Sequence, residues 1–424
     1  MRGHIRRRHY NTRKPMAQGE TLMIRNIPVL SFVVLALAVH ANAQSSVPFI
    51  ERQAPTDVRL LDFNVNWDSI FPDNDPQNHP FREYNKRAEF IRIVTAMAPD
   101  IVCLQEINDA RNPQQIASLL DQIVPIGGGQ VWKAHKGSDN VIASKYPLSL
   151  LRTDTVPTTN RGQAMALIDL PDDVYATDLY LMNAHFKASG GNSNIQRRQQ
   201  HADAIVNWIR DIRAPGGLIT LAAGTPVMVL GDLNAYDTDP AYHVTTLVTG
   251  DIVDESTYGA DLPPDWDNTS MTDALPIHNG AGSATYTWRD DTGGFNPGAL
   301  DRVIYSDSAM SIGNRFVLDT TTMTALQLSV AGLQADDVAL DAGVGLFDHY
   351  PIVVDLRFEM APSLDGDVTL DGLVDGADIE LFVSMATGGP ESANTTRIAH
   401  ADFNGNGAID LGDIADFVTT ILAQ

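Results

Sequence analysis

The run VMVLGDLN, from Val227 to Asn234, places the strictest condition on how this chain can fold. An apolar stretch of strand length reads as a buried strand, yet it passes through Gly231 straight into an Asp-x-Asn pair. Taken alone, Asp232 and Asn234 are ordinary turn chemistry, because both side chains bond their own backbone and glycine accepts unusual dihedrals. The same ending recurs along the chain. LLDFN reaches Asn64, IVCLQE reaches Glu106 and LYLMNAH reaches His185. GALDRVIYS opens a strand with Asp301, and FDHYPIVV begins on Asp348 and His349.

Helical patterns lie between these runs. EYNKRAEFIRIVTAM puts Phe90, Ile93, Val94 and Met97 on one face, NPQQIASLLDQIV predicts a second helix, and NIQRRQQHADAIVNWIRDI a long amphipathic third. TYTW and YPIVVDLRF complete the predicted strands. The alternation predicts an α/β domain over residues 57–358, with helices packed outside sheets. Residues 250–284, rich in Asp, Gly, Pro and Ser, predict a long surface insertion.

The length of 424 residues and the 44% hydrophobic content allow one large core or two domains. Before residue 26 the chain carries seven Lys or Arg and one acid, then the apolar run IPVLSFVVLALAV and the small-residue site Ala41-Asn42-Ala43. This is the pattern of a secretory signal over residues 1–43, with Met23 as an alternative start. The apolar run falls short of the roughly 20 residues that cross a membrane. No transmembrane anchor is therefore expected, and the protein is expected to be secreted or associated with the cell surface. Removing the leader leaves 22 basic and 52 acidic residues, a net charge of −30. Such a surface opposes nonspecific attachment to nucleic acid, which depends on Lys and Arg replacing counterions on phosphates. It does not exclude a phosphate substrate whose charge is met by bound metal. Cys103, the single cysteine, sits among apolar residues, which excludes an intramolecular disulfide and predicts a buried, inert thiol.

Each of the polar strand ends has a bland explanation as a turn residue, a solvated end or a satisfied core histidine. Their accumulation at strand boundaries is harder to assign to packing. Oxygens of Glu, Asp and Asn are the ligands that Mg²⁺ and Mn²⁺ prefer, and Mg²⁺ commonly takes one or two protein carboxylates beside substrate phosphate oxygens. A nearby imidazole can accept a proton from water. Phosphoester hydrolysis needs these functions together: a metal, a base, and donors for the negative transition state.

In chain order, these residues resemble the endonuclease/exonuclease/phosphatase superfamily, which includes DNase I-like nucleases, sphingomyelinases and inositol-phosphate phosphatases. The resemblance covers residues 57–358 and implies a four-layer α/β sandwich whose functional residues meet at one sheet edge. It implies that Glu106 binds the principal Mg²⁺ or Mn²⁺, with Asn64 and Asp348 near the metal or phosphate. It implies that His349, oriented by Asp301, deprotonates or positions water, with Asp232 as the rival for that role. Asn234 and His185 would stabilise the developing phosphorane charge, and Lys187 and Arg161 are candidate phosphate contacts. The DNase I-type loop that gives the first histidine a further acidic partner is not identifiable in the sequence. The expected function is metal-dependent phosphodiester hydrolysis, foremost of nucleic acid. A phospholipid or inositol-phosphate headgroup is the alternative substrate. A non-catalytic, scaffold-bound binding protein is the third reading, against which the complete catalytic set argues.

A Pro-containing link over residues 359–366, EMAPSLDG, leads to a different kind of segment over 367–424. DVTLDGLVDGADIELFV from Asp367 and DFNGNGAIDLGDIADFV from Asp402 are copies of one unit, 35 residues apart. In the second, Asp402, Asn404, Asn406, Asp410 and Asp413 occupy positions 1, 3, 5, 9 and 12 of an EF-hand-type calcium loop, with Gly407 at the sharp turn and the Ala408 carbonyl at position 7. The first places Asp367, Thr369, Asp371, Asp375 and Asp378 likewise, with Gly372 at the turn and the Leu373 carbonyl following. Thr369 is the weakest ligand. Each loop precedes an apolar helix, IELFV or IADFV, and lacks a convincing entering helix. The arrangement resembles the dockerin family, which implies a small α-helical domain binding two Ca²⁺ ions and a cohesin-like partner. The spacing and Thr369 depart from the usual dockerin pattern.

Overall fold

A strand that is apolar at every position must find cover on both faces, and this chain supplies it by stacking two sheets between helices. In chain order the first elements are β1 (Val58–Asn64), α1 (Arg87–Met97), β2 (Ile101–Gln105), α2 (Pro113–Ile123), β3 (Lys133–Gly137), β4 (Asn140–Ser144), β5 (Leu148–Arg152) and β6 (Thr155–Val156). Next come β7 (Arg161–Ile168), β8 (Leu179–Ala184), α3 (Asn192–Arg213), β9 (Val227–Asp232), α4 (Tyr242–Thr249), α5 (Glu255–Tyr258) and β10 (Thr272–Asp273). The remainder are β11 (Asp301–Tyr305), β12 (Ser311–Val317), α6 (Ala325–Ala331), β13 (Ile352–Arg357), α7 (Gly376–Ala386), α8 (Thr395–Ile398) and α9 (Ile414–Leu422). The computed structural model describes residues 47–71, 85–153, 155–156, 161–172, 174–236, 242–279, 282–290, 294–338, 347–361, 366–371 and 373–423. The expected signal at 1–43, linker residues 362–365 and Gly372 lie outside them.

One sheet runs β12-β13-β1-β2-β4-β3, and the other β10-β11-β9-β8-β7-β5 with β6 added beside β7. Both are mixed, because β1 and β2 pair parallel, as do β8 and β9, amid antiparallel neighbours. Strand β9 shows why its sequence is unbroken. Met228 and Leu230 join the core shared with β1 and β2, whereas Val227 and Val229 pack with Ile205, Ile209 and Ile212 of α3. The two-residue period is present, but it alternates between two apolar environments. Each such side chain withdrawn from water contributes about 1.5–3 kcal/mol. On the first sheet Phe90, Ile93, Val94 and Met97 of α1 are buried, the face the sequence predicts. Helix α2 starts where Asn112 and Gln115 close a reciprocal capping box.

The pairing directions decide where the polar ends go. β1 and β2 are parallel, with Asn64 opposite Gln105, so Asn64 and Glu106 leave from one edge. β8 and β9 are parallel, which sends His185 and Asp232 out together. β11 runs antiparallel to β9 and opens with Asp301 opposite Asp232. β13 runs antiparallel to β1 with Ile352 opposite Asp62, so Asp348 and His349 enter at the same edge as Asn64.

Three features differ from the sequence-based expectation. TYTW forms no strand; Trp288 makes only isolated bridges to Gly298 and His349. The 250–284 segment is more than a surface loop, since β10 extends the second sheet and Arg210 and Arg213 of α3 donate to the carbonyls of Tyr258, Ala260 and Pro263. Strands β3, β4, β5, β6, β7 and β12 also exceed the predicted set: β3, β5 and β12 are largely part-exposed, β4 and β6 are short, and the eight-residue, mostly buried β7 has no such reason.

The C-terminal repeats share a small core of Val368, Phe382, Met385, Ala401, Ile409 and Phe417. Phe382 and Phe417 hold equivalent places in the two copies, and their rings stack with centroids 3.9 Å apart and planes 7° apart.

Candidate active site

The turn out of β9 is built around Gly231. Its φ is +117°, and a Cβ there would lie 2.2 Å from the Ala184 carbonyl oxygen and 2.8 Å from Asn183 Oδ1. Only glycine permits β8 and β9 to approach so closely while the chain turns. Asp232 then accepts the Asn234 amide at 3.0 Å through Oδ1, and Asn234 holds a left-handed φ of 49°. Glu106, just past β2, is left-handed as well at 62°. Non-glycine residues in that region store on the order of 1–3 kcal/mol of strain, a cost that concentrates at functional sites.

Oxygen Oδ2 of Asp232 is the hub. Asn64 Nδ2 donates to it at 3.1 Å, His185 Nε2 stands 3.4 Å away and His349 Nε2 3.7 Å. Asn64 Nδ2 also reaches Glu106 Oε1 at 3.2 Å, while Glu106 Oε2 accepts the Trp67 amide at 2.8 Å. Each histidine is backed by an acid: His349 Nδ1 meets Asp301 Oδ2 at 2.7 Å, and His185 Nδ1 meets Asp139 Oδ2 at 2.8 Å. Asn234 Nδ2 donates to the Phe186 carbonyl at 3.2 Å. Asn64, His185, Asp232, Asn234, Asp301 and His349 are all buried. The structure thus brings together the residues selected from the sequence, joining strand ends of both sheets.

Asp139 is the residue that sequence reasoning missed. It sits in the tight connection between β3 and β4, whose sequence KAHKGSDNVIAS gives a weak strand signal on its first side. The Gly-Ser-Asp-Asn turn between two strands was the available clue. Lys187 donates to the Ala188 carbonyl at 3.1 Å, and the side chain of Arg161 lies outside the described residues.

Burial lowers the His349 pKa, but the carboxylates of Asp301 and Asp232 outweigh it and hold the imidazolium well above its ordinary value. Burial raises Asp301, and the His349 charge and hydrogen bond oppose the rise. Asp348 is raised above the ordinary carboxylate range by burial, with His349 lowering it and Glu106 raising it. Beneath the site, Asp62 is pushed well up by burial and by Asp301 while accepting Gln105 Nε2 at 2.7 Å. Gln105 Nε2 also meets Asn183 Oδ1 at 2.7 Å, so a polar seam links the two sheets behind the catalytic edge. Cys103 is buried and its thiol is raised well above its usual pKa by burial, as expected of an inert residue.

The donor set fits a hard divalent cation. Asp348 Oδ1 is shut from solvent without a hydrogen-bond partner, and Glu106 brings a second carboxylate to the same edge. Among the described residues, one group of three acids or histidines has ligand atoms within 4.8 Å of one another: Asp232, Asp301 and His349. In that group, His349 Nδ1 and Asp301 Oδ2 already share a hydrogen bond at 2.7 Å.

In the C-terminal segment, Asp378 and Asp413 are fully buried at equivalent positions. Asp378 accepts the amides of Thr369 and Asp375, each at 2.8 Å, and Asp413 accepts those of Asn404 at 2.9 Å and Asp410 at 2.8 Å. Asp367 accepts the Leu370 and Asp371 amides, and Asp402 the Asn406 and Gly407 amides. Thr369 Oγ1 lies 3.3 Å from Asp367 Oδ1, and Asn406 Nδ2 lies 2.9 Å from Asp410 Oδ2. Asp371 accepts from the Leu373 amide and Asn406 from the Ala408 amide.

A fold of two mixed sheets flanked by helices, with paired His and Asp residues beside clustered carboxylates, defines a phosphoester-hydrolase class of site. The profile of the Endonuclease/Exonuclease/phosphatase family matches residues 63–322, and the chain belongs to that family. No curated protein matches the chain in a search by sequence. Among solved structures, truncated TDP2 from Caenorhabditis elegans is 17% identical, with 71% of this chain and 97% of that one covered at a TM-score of 0.43. An endonuclease/exonuclease/phosphatase from Beutenbergia cavernae is 17% identical over 73% of this chain and 72% of that one, with a TM-score of 0.42. ANGEL2, a 2',3'-cyclic phosphatase in complex with adenosine-2',3'-vanadate, is 13% identical over 73% and 98%, with a TM-score of 0.46.

Proposed function

We propose that this chain is an exported phosphodiesterase that uses Mg²⁺ or Mn²⁺ to hydrolyse nucleic-acid phosphodiester bonds. The observation that carries the reading is the convergence of two carboxylate-backed imidazoles, His185 with Asp139 and His349 with Asp301, on one oxygen of Asp232. Glu106 and Asp348, with Asn64 beside them, are the residues that would hold the cation, which when bound neutralises phosphoryl charge and acidifies water. Asp301 fixes the proton of His349 on Nδ1 and leaves Nε2 facing the hub, the atom that exchanges a proton with the attacking water. Asp232 competes for that role through the same oxygen. An amide carries two donors, so Asn234 can bond Phe186 and a phosphoryl oxygen together, and His185 Nε2 adds a further donor.

Residues 367–424 are proposed to be a dockerin-like module that binds Ca²⁺ in two loops and attaches the enzyme through a cohesin-like partner, with 1–43 as its export signal. The equivalent burial of Asp378 and Asp413, each organising its own loop, supports this. Among the described residues no helix is long and apolar enough to cross a membrane.

Supercoiled plasmid, sphingomyelin and inositol phosphates, assayed in parallel with EDTA and with restored Mg²⁺ or Mn²⁺, test the reading. Cleavage of plasmid that EDTA stops and Mg²⁺ restores is the expected result. Activity on the lipid or the inositol phosphate alone transfers the reading to that headgroup. Inactivity on all three leaves the scaffold-bound binding protein.

A further inference from the structure

The chain leaves β1 through a run that L-residues avoid. Asn66, Trp67 and Asp68 stand one after another in the left-handed region, with φ of 49°, 54° and 65°, and none is glycine. Non-glycine residues enter that region singly, because Cβ crowds the following carbonyl oxygen, so three in succession must be imposed by their surroundings. Burial of the Trp67 ring does not impose them, since Trp67 is 42% exposed. The product of the run is a set of backbone donors. The Asn66 amide donates to Asn64 Oδ1 at 3.1 Å, the Trp67 amide to Glu106 Oε2 at 2.8 Å and the Asp68 amide to the Glu106 carbonyl at 2.9 Å. One turn therefore fixes both Asn64 and Glu106 at the edge of the first sheet.

A single guanidinium clasps that turn. Arg111, in the connection between β2 and α2, donates from Nε to Asp68 Oδ2 at 2.8 Å and from Nη2 to the Phe71 carbonyl at 3.2 Å. Its guanidinium carbon also lies 4.6 Å from the centroid of the Phe71 ring. The Asp68 side chain is 4% exposed and that of Arg111 12%, so the pair is largely withdrawn from the solvent that screens surface ion pairs. The Asn108 amide approaches the other carboxylate oxygen of Asp68 at 3.4 Å. Glu106, Asn108 and Arg111 all belong to the same connection, so the segment that carries Glu106 also carries the groups that hold the turn against it.

We propose that Arg111 is a positioning residue for the divalent cation: by gripping Asp68 it holds the left-handed turn closed, and the turn holds the Glu106 carboxylate in its ligating pose. The inference rests on the reading of Glu106 as a cation ligand and adds a residue that acts through Asp68 rather than at the site itself. Hydrogen-bond partners of a ligating carboxylate set its orientation and basicity, and losing one typically lowers metal affinity about 10–100-fold. Without the clasp, a strained run of this kind relaxes by turning one residue out of the left-handed region, which swings the Trp67 amide off Oε2. Lysine cannot substitute fully, because it is a point charge without the planar fork that reaches Asp68 and the Phe71 carbonyl together.

Calorimetry of Mn²⁺ binding to the full chain, without substrate, tests this. The part of the isotherm that Glu106→Gln abolishes defines the catalytic cation, and its dissociation constant is expected to rise about 10–100-fold in Arg111→Met and by an intermediate factor in Arg111→Lys. Arg92→Met, which breaks the partly buried Arg92–Asp337 pair elsewhere in the domain, is the structural control; it is expected to lower the urea midpoint while leaving that constant unchanged. A wild-type constant in Arg111→Met, or an equal rise in Arg92→Met, overturns the proposal and leaves Arg111 a stabilising residue only. If Arg111→Met does not fold, Arg111→Lys decides: a raised constant with the circular dichroism of the wild type upholds the clasp, and an unchanged constant overturns it. If Glu106→Gln removes nothing from the wild-type isotherm, the cation reading of Glu106 is what fails, and the proposal falls with it.

Discussion

Replacing Asp301 with asparagine should cripple the enzyme while leaving it folded. The carboxylate lies 2.7 Å from His349 Nδ1, is buried, and is the strongest of the charges that hold the imidazolium up against burial. A hydrogen bond to a charged partner contributes about 1.5–3 kcal/mol. The larger effect is on the tautomer. An amide of the same shape can turn its NH₂ toward Nδ1, which drives the ring proton to Nε2, the atom facing Asp232. The equivalent change in a serine protease triad costs about 10⁴ in kcat, so a loss of about 10²–10⁴ is expected here. His349→Ala should cost a similar factor, and the double variant no more than the worse single one, since an acid that orients a ring has nothing to orient once the ring is gone. The assay is kcat and kcat/KM on one phosphodiester substrate at saturating Mg²⁺, with circular dichroism confirming the fold of all three variants. The pH profile adds a sign. Loss of the Asp301 charge lowers the His349 pKa, so the limb that it governs should move to lower pH. Costs that multiply, with an unmoved limb, would refute the dyad and place Asp301 elsewhere in the chemistry.

Asp139→Ala should lower kcat about 10–100-fold by releasing His185, with no further loss when added to His185→Ala; rate measurements on the three variants check it. Gly231→Ala should destabilise the fold by about 3 kcal/mol or more, because a Cβ 2.2 Å from a backbone oxygen at φ +117° cannot be relieved by a rotamer; urea midpoints measure this. Burial, with Arg198 adding to it, depresses buried His243 to about 3, against an unfolded value near 6.5. The unfolded chain therefore binds the extra proton between those values. The associated stability is complete above pH 6.5 and falls as the solution is acidified, by about 2 kcal/mol at pH 5. His243→Gln should flatten that slope in urea titrations at pH 7 and 5. Calorimetry of the full chain with Ca²⁺ should show two sites that Asp378→Ala and Asp413→Ala each reduce by one. Unchanged isotherms in both variants count against the calcium loops.

The residues of the candidate site were legible because strand chemistry exposes them. Asn64, Glu106, His185 and Asp232 each terminate or follow an apolar run, and a polar group that ends a buried strand has either a turn or a reaction to explain it. What sequence alone withholds is direction of pairing. Parallel β1–β2 and β8–β9 pairs, with antiparallel β11 and β13, turn scattered strand ends into one edge. Asp139 escaped because β3 is partly exposed along most of its length and its hairpin resembles any polar turn. TYTW misled in the opposite sense: aromatic and β-branched residues suit a strand, yet here Tyr286 packs beside His278 and Tyr350 while Trp288 lines a cleft. Asp62 sits inside a strand between Leu61 and Phe63, and its burial follows from that position, but its link through Gln105 to Asn183 requires the two sheets to be stacked.

The first sheet has a consequence for when activity can begin. β13, drawn from the end of the domain, zips onto β1 from its beginning, and only that closure brings His349 to Asn64 from 285 residues further along the chain. Synthesis therefore delivers the two halves of the site far apart in time. A nascent or prematurely terminated chain that ends before Asp348 carries Asn64, Glu106, His185, Asp232 and Asp301 but lacks His349. Because non-local pairing of this kind forms late in folding, the hydrolase is held inert until its final strand is in place. If the proposed phosphodiesterase activity holds, chain order alone keeps every partial copy from displaying it.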